Sequence, residues 1–264
     1  MSNEWYDIDS WQWTDDDTRQ WGFSEEGPGG PTFKGLRQIW TDDKYVYAAT
    51  TSGLEIINIE TEERQSFATN PSGYTSVWSD NTKVFLGSTT GVKVLNQSAV
   101  GPAEILSQLS DYAREPDLTS NNVKYVHGNL NKLICCTVEG VDILWRNETG
   151  YRTYTTVTGA QAQKCFATPN DYFYYTVSGT APSGIVPPWY LCRMNNPTGN
   201  WDTPDVLYTT GSGFLAEATC LNDFYVTEHT SISGVNNTLF VATDAGVYVY
   251  DEGADRYAVY TTVS

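Results

Sequence analysis

The sequence predicts an all-β fold, and two observations carry that reading. One short unit recurs along the 264 residues: a small polar turn, a run of aromatic and β-branched residues, a Gly, and at once a second apolar run. No span of ten or more residues shows a convincing apolar period near 3.6, so helices have little claim on the chain. The runs are built from Val, Ile, Tyr, Phe and Thr, which suit a pleated, half-buried surface.

The first unit is Trp40-Thr-Asp-Asp-Lys-Tyr-Val-Tyr-Ala-Ala-Thr-Thr-Ser-Gly53, followed by Leu54-Glu-Ile-Ile57. The second is Trp78-Ser-Asp-Asn-Thr-Lys-Val-Phe-Leu-Gly-Ser-Thr-Thr-Gly91, followed by Val92-Lys-Val-Leu95. The stretch from Ala103 to Ala113, around Leu106 and Leu109, reads as a short helix inserted in this unit. The third unit has Asn131-Lys-Leu-Ile-Cys-Cys-Thr-Val-Glu-Gly140 and then Val141-Asp-Ile-Leu144. A looser fourth runs from Asn170 to Gly179, and the last from Asn237 to Gly246 before Val247-Tyr-Val-Tyr250. In each, the Gly stands where a hairpin asks for positive φ, and the Asp and Asn residues ahead of the run form a second turn. Each unit therefore folds as three or four short antiparallel strands. Thr153–Val157, Leu207–Thr210 and Val259–Val263 are alike and read as outer strands, edge-like and wet on one face. Val46–Ala49 and Leu239–Ala242, apolar at successive positions, read as inner strands packed on both faces.

The marker glycines are spaced 38, 49, 39 and 67 residues apart. Spacings near 40 fit one four-stranded blade, and the longer ones take insertions. Sheets packed on both faces are what a β-propeller stacks, whereas a β-sandwich asks for in-and-out alternation on most strands. The expected architecture is a single propeller over residues 31–264 with five blades, six being the alternative if Glu217–Val226 belongs to a degenerate blade. The strand from Tyr257 to Val263 is expected in the closing blade, with Gly35–Trp40 beside it or starting the next. The repeat resembles β-propeller families with short blades ending in Ala-Thr-x-x-Gly and then Val/Leu-x-Val/Ile, found in sensor-type and related bacterial and viral proteins. Thr50-Thr51-Ser52-Gly53-Leu54 and Thr243-Asp244-Ala245-Gly246-Val247 carry the resemblance best. It implies a fold and no particular function, since propellers host many.

Residues 1–30 differ. They hold Trp5, Trp11, Trp13 and Trp21, and eight acids, Asp15, Asp16 and Asp17 among them, against Arg19. Gly27-Pro-Gly-Gly-Pro31 then breaks the chain as a linker does. Disordered acidic tails usually lack aromatics, so this segment reads as an extended docking arm that covers the propeller's own surface or anchors on a partner.

The sequence carries few signs of catalytic chemistry. The histidines are His127 and His229, too few for a His-based zinc site, and no serine stands in a G-x-S-x-G elbow. No phosphate-binding glycine loop occurs. A two-carboxylate glycosidase has candidates among the 32 acids, but Asp42, Asp43, Asp80 and Asp171 sit in turns and read as turn formers. Asp15-Asp16-Asp17 and Asp42-Asp43 lack the spaced ligands of an EF-hand loop. No catalytic residue, metal or cofactor is expected. Tyr172, Tyr174, Trp189, Tyr190 and Trp201 are the candidate ligand or interface aromatics, near a Pro-rich loop of the fourth unit. The five cysteines, with Cys135 and Cys136 adjacent and no CxxC, read as buried free thiols rather than a disulfide framework.

The formal charge of −17 argues against binding a nucleic-acid backbone. No apolar stretch approaches the ~20 residues that span a bilayer, and the acidic N-terminus does not read as a signal peptide, so synthesis in a cytoplasm is expected. Sparse lysine, abundant Tyr, Thr and Asn, and a Trp-rich arm on a compact propeller lead to one functional expectation. It is a non-catalytic structural protein of a large assembly, a tailed-phage virion component such as a tail hub, nozzle or decoration, anchored by the arm to other structural proteins or to copies of itself. The alternatives are a glycan-binding or glycan-processing propeller and an intracellular protein-interaction scaffold.

Overall fold

The computed structural model describes residues 11–14, 20–23, 35–67, 72–97, 109–112, 118–129, 131–147, 150–158, 161–178, 189–195, 205–211, 215, 217–231, 234–252 and 256–260. Strands β1 (Trp11–Thr14) and β2 (Gln20–Phe23) pair with each other as a hairpin. Five four-stranded antiparallel sheets follow. The first holds β3 (Leu36–Thr41), β4 (Tyr45–Thr50), β5 (Leu54–Asn58) and β6 (Arg64–Phe67). The second holds β7 (Ser76–Ser79), β8 (Lys83–Ser88), β9 (Gly91–Asn96) and β10 (Leu109–Tyr112). The third holds β11 (Val123–Gly128), β12 (Lys132–Thr137), β13 (Gly140–Asn147) and β14 (Gly150–Thr158). The fourth holds β15 (Gln161–Ala167), β16 (Tyr172–Ser178), β17 (Trp189–Asn195) and β18 (Asp205–Thr209). The fifth holds β19 (Leu221–Ser231), β20 (Gly234–Thr243), β21 (Gly246–Asp251) and β22 (Arg256–Tyr260).

Side-chain chemistry explains why the unit repeats. Between the second and third strands, Thr50 Oγ1 accepts the Gly53 N–H at 3.1 Å and donates to the Gly53 carbonyl at 2.9 Å. Ser88, Thr137 and Thr243 make the same donation to Gly91, Gly140 and Gly246. Gly53 and Gly91 have φ of 151° and 112°, which a side chain rarely tolerates. Between the first and second strands, Asp42 Oδ1 accepts the N–H groups of Lys44 and Tyr45 at 3.0 and 2.9 Å. Asp80 and Asn129 cap their turns in the same way. These acids are the turn formers that the sequence indicates.

Neighbouring sheets share four buried apolar clusters. Tyr45, Tyr47 and Leu54 pack against Val84 and Leu86. Phe85 and Val94 pack against Leu133 and Cys135. Ile134 and Cys136 pack against Cys165, Phe173 and Tyr175. Tyr174 and Leu191 pack against Leu239, Val241 and Tyr248. Second strands thus send alternate residues into the clusters on either side. Cys135 and Cys136 accordingly face different neighbours, and the cysteines are free thiols. Polar contacts tie the same seams. Tyr47 donates to Asp42 Oδ2 at 2.8 Å, and Ser79 of the second sheet donates to that oxygen at 3.0 Å. Between the fourth and fifth sheets, Tyr174 donates to Glu252 at 2.8 Å.

Three expectations need correction. Leu109–Tyr112 is a strand laddered to β9, so the spacing of Leu106 and Leu109 marks no helix there, and residues 103–108 lie outside the described ones. Val46–Ala49 and Leu239–Ala242 are second strands, because the more mixed β3 and β19 precede them and pair with them. Glu217–Val226 runs into the start of β19 rather than forming a sixth sheet, while β3 opens the first sheet, the second of the two placements expected for Gly35–Trp40. Thr153–Val157, Leu207–Thr209 and Val259–Tyr260 do lie in fourth strands.

Candidate binding site

The first strands of successive sheets touch one another, β3 on β7, β7 on β11, β11 on β15 and β15 on β19. At the ends of β3, β7, β11 and β15 and midway along β19, all five sheets line one cavity of about 700 Å³. That volume falls within the range of small-ligand and side-chain pockets. Each sheet places one aromatic side chain there from its first strand: Trp40, Trp78, His127, Phe166 and Tyr225.

These rings form a chain of contacts. His127 stacks on Phe166 with centroids 4.1 Å apart, and Trp40 meets His127 edge-on at 5.0 Å. Trp78 lies 5.7 Å from His127, and Phe166 meets Tyr225 edge-on at 5.1 Å. Tyr225 is 53% exposed and is the most open of the five, while His127 is buried. The Ala167 N–H donates to His127 Nδ1 at 3.1 Å, which leaves the ring proton on Nε2. Among the described residues, Nε2 of His127 and Nε1 of Trp40 are buried without a hydrogen-bond partner. Burial pushes the His127 pKa down to about 3, so the imidazole is neutral near pH 7. It is a polar wall of the cavity rather than a charged one.

The turns after β3 and β7 add Asp42, Asp43 and Asp80 to the rim, β19 adds Glu228, and among the described residues no Lys or Arg lines the cavity. Asp42 is held by backbone and side-chain donors, including Gln97 Nε2 at 3.1 Å, and Glu228 accepts the Asn170 N–H at 3.0 Å. These carboxylates are positioned by the fold before any ligand arrives. Among the described residues, no group of three or more His, Cys, Asp or Glu is placed to hold a metal ion.

The aromatics singled out in the sequence do not gather here. Tyr174 is fully buried, with its hydroxyl between Glu252 and Asn237. Tyr172 and Trp189 pack on the cluster between the fourth and fifth sheets, whereas Tyr190 packs on the one between the third and fourth. Trp201, Trp5, Asp15, Asp16 and Asp17 lie outside the described residues, and Trp11, Trp13 and Trp21 are described as β1 and β2 backbone only. The five cavity aromatics share a signal in the sequence: each stands two residues before Asp42, Asp80, Asn129, Thr168 or Thr227. Trp40 and Trp78 begin the first two repeats, but the less regular third to fifth units conceal the equivalence.

No family model and no curated protein matches the sequence. The fold is similar to the N-terminal domain of Nup159, with a TM-score of 0.57 and 8% identity over 87% of this chain and 63% of that one. It is also similar to the extracellular domain of the putative hybrid two component system BT4673 from B. thetaiotaomicron, with a TM-score of 0.55 and 14% identity over 97% of this chain and 33% of that one. A second structure of that domain gives a TM-score of 0.57. The chain therefore spans less than two thirds of the length of each. These likenesses, to a nucleoporin domain and to bacterial sensor domains, overturn the expectation of a tailed-phage tail hub, nozzle or other virion component. The composition behind that expectation belongs to the blade-like sheets themselves: Tyr and Thr fill their strands, and Asn and Asp their turns. Among the described residues no helix is long and apolar enough to cross a membrane.

Proposed function

We propose that the five sheets are the blades of one propeller and that the chain is a non-catalytic interaction module. Its aromatic cavity takes a cationic side chain of a partner protein. The observation that carries this reading is the pairing of five aromatic residues with four carboxylates around a cavity that, among the described residues, no Lys or Arg lines. A Lys or Arg head near an aromatic face gains ~0.5–2 kcal/mol, with Trp the best partner. The rim carboxylates add attraction over a screening length of about 8 Å at physiological salt. The overall charge of −17 steers cations toward the protein and anions away. The held carboxylate of Asp42 and the neutral His127 fit a binding role, being fixed parts of a wall.

A binding survey by calorimetry with Arg- and Lys-rich, neutral and acidic peptides, beside neutral oligosaccharides, tests this. Basic peptides should bind, more weakly as salt rises, and Tyr225→Ala or Asp43→Asn should each weaken them severalfold. Acidic peptides binding equally well, or basic ones indifferent to both substitutions, would refute the proposal. Binding confined to oligosaccharides would move the protein to the glycan-binding class.

A further inference from the structure

Among the described residues, the exposed large hydrophobic side chains are Leu36, Ile39, Tyr225, Phe240, Val247 and Tyr260, and every one belongs to the first or the fifth sheet. In the fifth sheet Tyr225 lies opposite Phe240, Ala242 opposite Val247, and Val247 opposite Tyr260. Because residues two apart share a face, these four exposed side chains stand on one face. The other face, with Leu239, Val241 and Tyr248, packs on the fourth sheet. In the first sheet Leu36 lies opposite Thr50 and Ile39 opposite Ala48, the face away from Tyr45, Tyr47 and Ala49, which pack toward the second sheet. The four buried clusters bridge the sheets in series from first to fifth, and none of them bridges the fifth to the first. Both sheets nevertheless reach the same cavity through Trp40 and Tyr225. In the propeller proposed above, the two exposed faces are the two sides of a seam.

The β1–β2 hairpin has the complementary character. Its register sets Trp11 opposite Phe23 and Trp13 opposite Trp21, so all four aromatic positions share one face. Positions 12, 14, 20 and 22, occupied by Gln12, Thr14, Gln20 and Gly22, share the other. A two-stranded hairpin alone is marginal in water and needs an apolar surface to lean on. An aromatic side chain buries ~150–250 Å² when it finds one. Residues 24–35 connect the hairpin to β3, on one side of the seam. Twelve residues reach at most about 40–43 Å, against a sheet-to-sheet spacing of about 10 Å. Tethering of this kind gives a local concentration in the millimolar range, above that of a second copy at ordinary protein concentrations.

We infer that the chain's own β1–β2 hairpin seats its aromatic face in the seam between the fifth and first sheets and completes the apolar core there. This holds whatever the cavity binds. The reading assigns the Trp-rich segment to the molecule's own architecture in preference to a neighbour in an assembly.

Hydroxyl-radical footprinting of the full chain reads the side chains directly. Oxidation of Phe240 and Tyr260 should be several times slower in the wild type than in a Trp13→Ser/Trp21→Ser variant, with Phe85 and Phe173 unchanged in both. The protection should be independent of protein concentration. Equal oxidation in the two proteins overturns the inference. Protection that fades on dilution together with a dimer in sedimentation also overturns it, in favour of a second copy. Hydrogen exchange on the wild type alone supplies a test that does not depend on the variant folding. Amides of 11–14 and 20–23 exchanging at free-peptide rates overturn the inference, and protection of roughly tenfold or more supports it.

Discussion

His127 ties acid stability to the centre of the cavity. Its imidazole is held neutral by burial, with a pKa of about 3 against 6.5 for an exposed histidine. The unfolded chain takes up a proton at this residue near pH 6.5, and the folded chain does so only near pH 3. The stability this residue confers is therefore whole above pH 6.5 and drains away as the pH falls toward 3, by about 1.4 kcal/mol per unit. At pH 4.5 the loss from this one group is about 2.7 kcal/mol. His127→Phe keeps a flat ring for Phe166 and Trp40 but strips the Ala167 N–H of its acceptor, which costs about 1–3 kcal/mol at neutral pH. The variant should be the weaker protein at pH 7.5 and draw level with or overtake the wild type at pH 4.5. Urea unfolding followed by circular dichroism at the two pH values measures both curves, and groups common to the two proteins cancel in the difference. If wild type and variant lose stability in parallel between pH 7.5 and 4.5, the buried neutral imidazole is not what the structure indicates.

Three further outcomes follow from the same packing. Gly128→Ala should lower the thermal midpoint by several degrees, about 1–3 kcal/mol of stability, because a Cβ there would stand 2.7 Å from both the Lys132 carbonyl and the Trp78 ring. An unchanged midpoint in differential scanning calorimetry would contradict this. Asp42→Asn should destabilise by about 2–3 kcal/mol in urea titration, since an amide nitrogen cannot accept from Tyr47, Ser79 and Gln97 as the carboxylate oxygen does. Cys220 should be the one thiol that reacts quickly with Ellman's reagent in the native protein. The other cysteines are buried, and burial raises the Cys135 and Cys136 thiols well above their usual range and Cys192 to about 11. Rapid release of more than one equivalent before denaturant is added would contradict the packing between the third and fourth sheets.

The repeat was legible because its signals are local. A Thr or Ser three residues before a Gly, and an Asp or Asn before an aromatic run, bond to their own turns, so their spacing survives in the sequence whatever the sheets do around them. The rank of the strands was not legible. Ala48 and Val241 are fully buried, yet they sit in second strands, because burial follows the packing around a strand rather than its nearness to a centre. The cavity was missed for the same reason. Its aromatics come one from each sheet and, from Trp40 to Tyr225, are up to 185 residues apart. His127 passed as an isolated histidine, and only the packing of Trp40 and Phe166 against its ring shows its setting. Tyr174 illustrates the converse. Aromatic and beside a Pro-rich loop, it has the makings of a ligand platform, but its hydroxyl is taken up between Glu252 and Asn237.

Each of the five larger sheets consists of four strands consecutive along the chain, and among the described residues no strand is lent to a distant sheet. A single nick at residues 159–160, between β14 and β15, would cut through no ladder of backbone hydrogen bonds. The two pieces would carry three sheets and two, each with its pairing whole, and would be held together by side chains such as Ile134 and Cys136 against Phe173 and Tyr175. The same economy applies during synthesis. Every sheet can be finished as soon as its own forty or so residues have left the ribosome, with nothing waiting for the far end of the chain. The molecule is a natural candidate for reconstitution from halves, in which recombination of two polypeptides becomes the signal that they have met.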